Sequence, residues 1–296
     1  MASVATTAPA SVRQRNALLT FVVEQPLGTV AFVVILVMAL AAIFADWAAP
    51  YDPVAIDFEA MLAAPSALHP LGTDALGRDI LSRVIYGART ALSIGFLSSL
   101  LGCSVGAVIG VASAYFGGRI DLVVQRFVDI LLAFPIIVLA LVVVAMLGRN
   151  LVAGIDINLI VAIAIPIVPK VARVIRAAAL SIREMPYIDA ARAAGYSHRR
   201  IIFRHMCPNV VAPYLIMLTA FIAQAILLEA SLSFLGLGVS EPKPAWGLML
   251  AGNASDFYRE APWMVIFPGL AISLAVFAFN LLGDSLRDWL DPKFKT

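Results

Sequence analysis

Long apolar blocks constrain this chain more than any other feature, because few folds can accommodate them. Six blocks each hold roughly 20 or more mostly apolar residues, enough to cross about 30 Å of hydrocarbon as a helix. They cover residues 27–48, 91–116, 123–147, 157–178, 210–235 and 262–282. Since lipid cannot satisfy the backbone of an open strand, each block is predicted to be a helix. Kinks are predicted at Pro135 in the third block and at Pro166 in the fourth.

The composition excludes an ordinary soluble protein. Hydrophobic residues make up 61% of the 296 positions, charged residues only 14%, and the mean hydropathy is +0.94. Soluble domains carry about a quarter charged residues. The sequence therefore predicts an all-α polytopic membrane protein with six transmembrane helices. Its two cysteines, Cys103 and Cys207, predict neither a disulfide nor a metal site.

The distribution of lysine and arginine predicts the orientation, because both concentrate on the cytoplasmic side of membrane proteins. With six spans both termini lie on one side, together with residues 179–209. That side receives 15 of the 21 basic residues and the other side receives six. Both termini are therefore predicted to be cytoplasmic, and the Ala/Ser/Thr-rich residues 1–16 are predicted to be disordered.

Two external loops follow from this topology. The first continues into an amphipathic pattern from Ile80, which predicts a helix along the membrane interface ahead of span two. This loop is either a packing collar or a docking surface for an external partner. The second loop covers residues 236–261. Candidate docking or gating residues in the two loops are His69, Asp74, Arg78, Asp79 and Trp246. His69 stands alone, so no metal site is predicted.

A charged, amphipathic segment, residues 186–208, is predicted to face the cytoplasm between two apolar spans. Pro186 suits the first turn of a helix, and Gly195 is placed to end that helix with a positive φ. Ser197 can cap a second helix, and Pro208 restarts the chain into span five. Small side chains around residues 190–194 permit the close approach of a partner protein.

Ionisable groups inside the spans have two interpretations each. Glu229 lies near the external end of span five, where it either caps or bridges to the 236–261 loop, or lines a substrate path. Asp129 is expected to pair with Arg126 on its own helix. The remaining pore is predicted to be mostly apolar, which argues against a proton-coupled carrier.

The 186–208 segment resembles the cytoplasmic motif of the membrane subunits of binding-protein-dependent ABC importers. That motif reads Glu-Ala-Ala, three residues, Gly, nine residues, Ile, one residue, Leu-Pro. This chain has Asp189-Ala190-Ala191, then Gly195 and Pro208 at the required spacing. It departs from the motif at Asp189, His205 and Cys207, but residues 201–205 (Ile-Ile-Phe-Arg-His) are similar to the dipeptide/oligopeptide/nickel branch.

Three further segments resemble the "C-type" subunits of that branch. Residues 69–79 (HPLGTDALGRD) are similar to their external segment, and residues 229–238 (EASLSFLGLG) to their fifth span. Residues 280–292 (NLLGDSLRDWLDP) are similar to their C-terminus. The likeness covers roughly residues 27–295. The implied organisation is a tail at 1–26, TM1 at 27–48, an external loop at 49–90, a permease core at 91–285 and a tail at 286–296.

The resemblance implies a pore-forming subunit of the bacterial inner membrane that imports di- or oligopeptides. Partners would be a second homologous permease, two ATP-binding-cassette subunits and an external substrate-binding protein, with lipid around them and no nucleic acid. The coupling helix for the ATPase subunit would use Tyr187, Asp189, Ala190, Ala191, Arg192, Ala194, Gly195, Arg199, Arg200 and Pro208.

No catalytic residue, metal site or cofactor is expected on this chain. It has no phosphate-binding Gly-x-x-x-x-Gly-Lys-Ser/Thr loop, so it should not hydrolyse ATP itself. ATP and Mg²⁺ would bind the partner subunits. Alternatives are nickel or glutathione import by the same architecture, or a self-contained secondary transporter or channel. An intramembrane enzyme is disfavoured, because no protease or esterase motif is present.

Overall fold

Helices form almost all of the structure, a computed structural model that describes residues 17–152 and 154–290. The helices are α1 (Ala17–Glu24), α2 (Pro26–Ile43), α3 (Ala45–Ala48), α4 (Ile80–Phe116), α5 (Gly118–Leu132), α6 (Ile136–Leu147), α7 (Ile157–Ala164), α8 (Ile167–Arg183), α9 (Pro186–Ala193), α10 (His198–Ile201), α11 (Cys207–Phe234), α12 (Trp246–Met249), α13 (Asn253–Asp256) and α14 (Trp263–Leu290). A 3₁₀ turn covers Phe58–Ala60 and a π-helical turn covers Ile202–Met206. The disorder predicted for residues 1–16 falls outside the described residues.

One small sheet interrupts the helical fold. Strands β1 (Leu151–Val152) and β2 (Ile155–Asp156) pair antiparallel as a hairpin, with Leu151 opposite Asp156. It is the only sheet in the part of the chain that the structure describes. The chain is thus mostly helical, as its apolar blocks predict, and the hairpin is a departure from the predicted all-α class.

Four stretches are long and apolar enough to cross a membrane unaided: α2, α4, the continuous stretch His198–Phe234, and α14. Two helix pairs qualify only if each pair is counted as one span. α5 and α6 are bent by 93°, and α7 and α8 by 45°. The breaks fall at the predicted kink sites Pro135 and Pro166, where proline removes a backbone donor. The described chain therefore has four to six candidate spans rather than six continuous ones.

The packing of α4 on α8 forms the centre of the bundle. α4 presents Gly102, Gly106 and Gly110 at intervals of four residues, which places them on one helix face. A Cβ atom added to any of the three would lie 2.6–2.8 Å from a backbone oxygen of α7 or α8. Small residues at this spacing let two membrane helices approach closely. Ile167 and Val171 of α8 fill the space beside them and are completely buried.

α2 packs on the outside of the bundle against α14. Its Gly28 allows this approach, because an added Cβ would overlap the side chain of Ser285. The rest of α2 is largely uncovered, and Val30, Phe32 and Val37 are 60%, 52% and 60% exposed. An apolar face this open would be unfavourable in water, so it is the face expected to meet lipid.

The interfacial helix predicted ahead of span two is not a separate element. α4 is continuous from Ile80 over 37 residues, or about 55 Å, so its first turns extend beyond the roughly 30 Å of hydrocarbon. Asp79 caps α4 by accepting a hydrogen bond of 2.8 Å from the Ser82 backbone N–H. The amphipathic pattern from Ile80 is therefore the start of α4 itself.

Candidate functional site

The segment of residues 186–208, here called the elbow, folds as its proline and glycine residues predict. Pro186 occupies the first turn of α9. Gly195 lies just beyond the C-terminal end of α9 and has a φ of +72°. The Tyr196 N–H donates to the Ala191 carbonyl at 3.1 Å, which closes the helix end. Ser197 caps α10 by accepting from the Arg200 N–H at 3.4 Å. The result is a helix, a sharp turn and a second helix.

Burial divides the predicted interface residues of the elbow into two sets. Ile188 is completely buried and Ala191 is 5% exposed, so both point into the bundle. Ala191 is therefore a packing residue, and its prediction as part of the partner surface is wrong because the helix turns it inward. The candidates that remain exposed are Tyr187, Asp189, Ala190, Arg192, Ala194, Gly195, Arg199, Arg200 and Pro208.

A side-chain hydrogen bond joins the elbow to α4. The Nδ1 atom of His198 lies 2.7 Å from the phenolic oxygen of Tyr115, in the last turn of α4. Ile201 and Met206 are 1% and 0% exposed and anchor the same region in the core. The Tyr115–His198 contact cannot be predicted from local sequence, because the two residues lie far apart in the chain.

The elbow also continues directly into α11. The sequence predicted that Pro208 restarts the chain, but the π-helical turn Ile202–Met206 joins α10 to α11 without a loop. Pro208 lies in the first turn of α11, where its missing N–H is tolerated. π-helical turns are uncommon and concentrate at functional sites. A displacement of the elbow would therefore be carried into a membrane-crossing helix.

Aromatic stacking supports the outer side of the elbow. The His205 ring stacks on the Tyr196 ring at 6.0 Å between centroids, and the Arg200 guanidinium lies 3.9 Å from the centroid of the same tyrosine. The Nε2 atom of His205 is buried and has no hydrogen-bond partner among the described residues. Tyr187 approaches His205 from the other helix at 6.4 Å. These contacts brace the turn at Gly195.

At the opposite end of the bundle, residues 49–79 and 236–261 form what is here called the head. His69 and Asp79 meet at 3.0 Å between Nδ1 and Oδ1, and the Trp246 indole N–H donates to the Val84 carbonyl at 2.9 Å. The predicted external residues therefore all make internal contacts. No cluster of three metal-ligating side chains exists within residues 17–152 and 154–290. His69 pairs with one carboxylate, that of Asp79.

An ionic network holds the two loops of the head together. The Arg78 guanidinium donates to Asp74 at 2.6 Å and to Glu241 at 2.7 Å. Burial lowers the pKa of Arg78, but its hydrogen bond to Glu241 and the charge of Asp74 raise that pKa above its ordinary value. Arg83, 1% exposed, donates to the Pro53 carbonyl at 3.1 Å. A cavity of about 570 Å³ lies against these residues and opens at the surface of the molecule.

Glu229 is completely buried, which favours its structural interpretation over a place on the substrate path. The Ser233 hydroxyl donates to Glu229 Oε1 at 2.7 Å and accepts from the Val239 N–H at 3.0 Å. Glu229 thus bridges through Ser233 to the 236–261 loop. Its second carboxylate oxygen has no hydrogen-bond partner in the described chain.

The acidic residues of α5 pair with α8 rather than within their own helix. Asp129 forms an ion pair with Arg173, so the predicted pairing with Arg126 is wrong. Asp121 accepts from the Arg176 Nε at 2.6 Å. An antiparallel approach of α5 and α8 brings these residues together, and sequence spacing on one helix cannot reveal it.

Two family models match separate parts of this chain. Residues 106–296 match the family described as binding-protein-dependent transport system inner membrane component. Residues 23–65 match the N-terminal TM domain of oligopeptide transport permease C. A putative peptide transport system permease protein of Brucella suis biovar 1 (strain 1330) is 43% identical over 266 residues, which cover 90% of this chain and 88% of the relative.

Two further relatives carry more specific names. The dipeptide transport system permease protein DppC of Alkalihalophilus pseudofirmus is 43% identical, covering 92% of this chain and 88% of that protein. The glutathione transport system permease protein GsiD of Pectobacterium atrosepticum is 41% identical, covering 92% and 89%.

Solved structures show the same fold at low sequence identity. Two crystal forms of the MetNI methionine ABC transporter in inward-facing conformations align with TM-scores of 0.51 and 0.53 at 18% identity. They cover 70% and 69% of this chain and 97% and 96% of the solved chains. With the family match over residues 106–296 and relatives at 41–43% identity, the chain belongs to the binding-protein-dependent transport system inner membrane components, and it is a multi-pass permease subunit of an ABC importer of the dipeptide/oligopeptide family.

Proposed function

We propose that this subunit carries di- and oligopeptides across the cytoplasmic membrane, driven by ATPase subunits bound to its elbow. Relatives named for peptide and dipeptide transport, each 43% identical, support this substrate class. The elbow carries the proposal. Tyr187, Asp189 and Ala190 stand exposed on a helix whose opposite face, at Ile188, is locked into the core.

We infer that six segments cross the membrane and that both termini are cytoplasmic. The bent pairs α5–α6 and α7–α8 would each count as one crossing. Fifteen basic residues against six support this orientation. The elbow then faces the cytoplasm and the head faces outward.

The partner set follows from this arrangement. Two cassette subunits would bind and hydrolyse ATP with Mg²⁺, because this chain has no phosphate-binding loop. A second homologous permease would complete the pathway, and a substrate-binding protein would dock on the head. This subunit would then be a non-enzymatic component, with no cofactor of its own.

The contacts of the elbow suggest how motion enters the membrane. When the cassettes close, α9 is displaced, and the Tyr115–His198 hydrogen bond pulls on the end of α4. The π-helical turn passes the same displacement to α11. Because the glycine face of α4 packs tightly on α8, these two helices would move as one body. The pathway would then alternate between inward and outward access.

In the head, we propose that the predicted external residues shape the docking surface from beneath. His69, Asp74, Arg78 and Asp79 are bound to neighbouring parts of the chain, so they fix the loop rather than contact a partner freely. Glu241 is half-exposed and is the charged group that this network presents outward.

Glutathione import is the second candidate, because a relative named for glutathione transport is 41% identical over 92% of this chain. Glutathione is itself a small peptide with free carboxylates. Uptake of labelled dipeptide and labelled glutathione by the complete importer would separate the two.

The coupling role is tested at Gly195 with a matched pair of substitutions. Its φ of +72° is strained for most residues but tolerated by asparagine, and an added Cβ would meet nothing within 4 Å. Gly195→Val should therefore abolish peptide-stimulated ATP hydrolysis and uptake, whereas Gly195→Asn should keep most of both. Membrane insertion of each variant is the control. Full uptake by Gly195→Val would contradict the proposed coupling.

Neighbouring alanines on α9 provide a second test. Ala190 is exposed and Ala191 is 5% exposed, so cysteines there differ mainly in direction. In a Cys207→Ser background, Ala190→Cys should crosslink to a cassette subunit and Ala191→Cys should not. Crosslinking of Ala190→Cys to lipid alone would favour a self-contained carrier.

A further inference from the structure

We propose that Lys170 and Arg173 line the translocation pathway at the middle of the membrane, and that Lys170 binds the carboxylate of a peptide in transit. The proposal rests on peptide transport as the proposed function. It replaces the mostly apolar pore that the sequence predicts. It also takes Lys170 and Arg173 away from the cytoplasmic side to which the charge count assigned them, which leaves 13 basic residues there against six.

The packing of α8 on α4 fixes the depth of Lys170. Gly102 meets Ile167 and Gly106 meets Val171, so Lys170 lies level with the interval between the two glycines. That interval is about 18 Å along α4 from its end at Phe116. It is also about 20 Å from residue 91, where the apolar part of span two begins. Lys170 is therefore close to the midpoint of the hydrocarbon, with Arg173 one turn nearer the elbow.

Charged side chains near this level of α8 are partly exposed at the surface of the subunit. The Arg173 and Asp129 side chains form an ion pair, yet they are 55% and 46% exposed. Lys170 is half-buried and has no hydrogen-bond or ion-pair partner within residues 17–152 and 154–290. Ionisable groups in membrane proteins face a water-filled cavity or the bundle interior, since hydrocarbon does not solvate them. This side of α5 and α8 is therefore not a lipid-facing surface.

Two helix breaks converge on the same place. The α5–α6 break at residues 133–135 is exposed, and the α7–α8 break lies beside Pro166. Phe134, Pro166 and Lys170 line one cavity of about 250 Å³. Irregular backbone at membrane depth is tolerated where it lines a cavity or is covered by protein. Discontinuous helices also frame the substrate sites of many transporters. The breaks and the charges are separate observations that mark one region.

The chemistry of the cavity selects a carboxylate. The nearby acids are already paired, Asp129 with Arg173 and Asp121 with Arg176, so Lys170 retains an uncompensated positive charge. Every peptide with a free C-terminus can supply the missing anion. The other lining side chains are apolar and suit a peptide side chain: Leu131, Leu132, Phe134, Ile136 and Leu139. A single ammonium contact would guide the peptide without trapping it.

Thiol labelling in the assembled importer tests whether this face meets water. In a Cys207→Ser background, Lys170→Cys and Arg173→Cys should react with a charged, water-soluble thiol reagent at least about tenfold faster than Val37→Cys, because only a hydrated thiol ionises. Val37 is the matched lipid-facing control, 60% exposed on α2. If neither cysteine reacts in an importer that still takes up peptide, the pathway assignment is overturned and the proposed function stands. Absence of peptide uptake by the parent importer would instead count against the proposed function.

Peptide uptake tests the carboxylate contact. Lys170→Gln should slow uptake of a tripeptide with a free C-terminus by about tenfold, the effect of one lost hydrogen bond to a charged group. Uptake of the same tripeptide with a C-terminal amide should fall by less than about twofold in this variant. The uptake rate of each peptide is divided by its rate in the parent importer, which removes selection by the binding protein. Lys170→Arg, which keeps the charge, should retain uptake of both. Equal slowing of the two peptides by Lys170→Gln would overturn the carboxylate contact.

Discussion

Tyr115 and His198 stand 83 residues apart in the sequence, and their side chains meet at 2.7 Å between the phenolic oxygen and Nδ1. The contact joins the last turn of α4 to the first turn of α10. It is the polar link between the elbow and the long helix at the centre of the bundle. Its loss should therefore separate ATP hydrolysis from transport without unfolding the protein.

Tyr115→Phe removes this hydrogen bond and keeps the ring. The expected cost is about 1 kcal/mol of local stability, which is too little to prevent insertion. The number of peptides imported per ATP hydrolysed should fall, as measured in proteoliposomes with the complete importer. Tyr51→Phe is the control, because the Tyr51 hydroxyl donates to the Leu68 carbonyl in the head. An unchanged ratio in Tyr115→Phe would exclude this link from coupling.

Gly106 should be intolerant of any side chain. A Cβ there would lie 2.7 Å from the Val168 carbonyl oxygen, and backbone cannot move aside without separating α4 from α8. Gly106→Val is expected to destabilise the protein by about 3 kcal/mol or more and to lower its thermal unfolding temperature in detergent. Gly269→Val in α14 is the matched control, because an added Cβ meets nothing within 4 Å there. Equal stability of the two variants would show that the α4–α8 contact is looser than described.

Arg83 should hold residues 49–79 of the head in place. Arg83→Met removes the contacts to the Pro53 carbonyl and to Glu241, at 3.1 Å and 3.5 Å. We expect the stability of the protein to fall by about 2 kcal/mol, mainly through local unfolding of residues 49–79. Limited proteolysis from outside should cut residues 49–79 faster in this variant than in Arg259→Met, which alters an exposed arginine of the head. Identical cleavage rates would argue against this role.

Glu229→Gln distinguishes the two interpretations of this buried residue. The carboxylate accepts a hydrogen bond of 2.7 Å from the Ser233 hydroxyl, and a glutamine oxygen can accept the same bond. The bridge to residues 236–261 should therefore persist. Peptide uptake and thermal stability should both stay close to those of the parent. A severe loss of uptake at unchanged stability would mean that the charge acts on the substrate instead.

Local sequence was sufficient for the elbow. Pro186 fixes φ and needs no backbone donor, so it suits a helix start, and Gly195 adopts a φ of +72° at little cost. Both effects depend on a few consecutive residues. The same locality made the prediction for Ala191 wrong, because its direction depends on how α9 rotates against the core.

The partners and burial of the charged residues in the apolar segments could be found only from the fold. The sequence paired Asp129 with Arg126 because they are three residues apart, but Arg173 of α8 is its partner. It likewise leaves Glu229 with two interpretations, capping or a place on the substrate path, and counts Lys170 with the cytoplasmic charges. The burial of Glu229 and the opening beside Lys170 are set by packing between helices, which spacing along one helix does not contain.

The sequence by itself determined that the chain crosses a membrane, where its helices break and which segment turns as the elbow. The transfer of apolar residues into lipid and the backbone limits of proline and glycine act on consecutive residues, so they can be read along the chain. The tertiary structure alone decided the partners of Asp129, Tyr115 and Arg83 and the level of Lys170 along α4. These depend on the angle and separation at which distant helices pack, and the three glycines of α4 set that separation only once α8 lies against them.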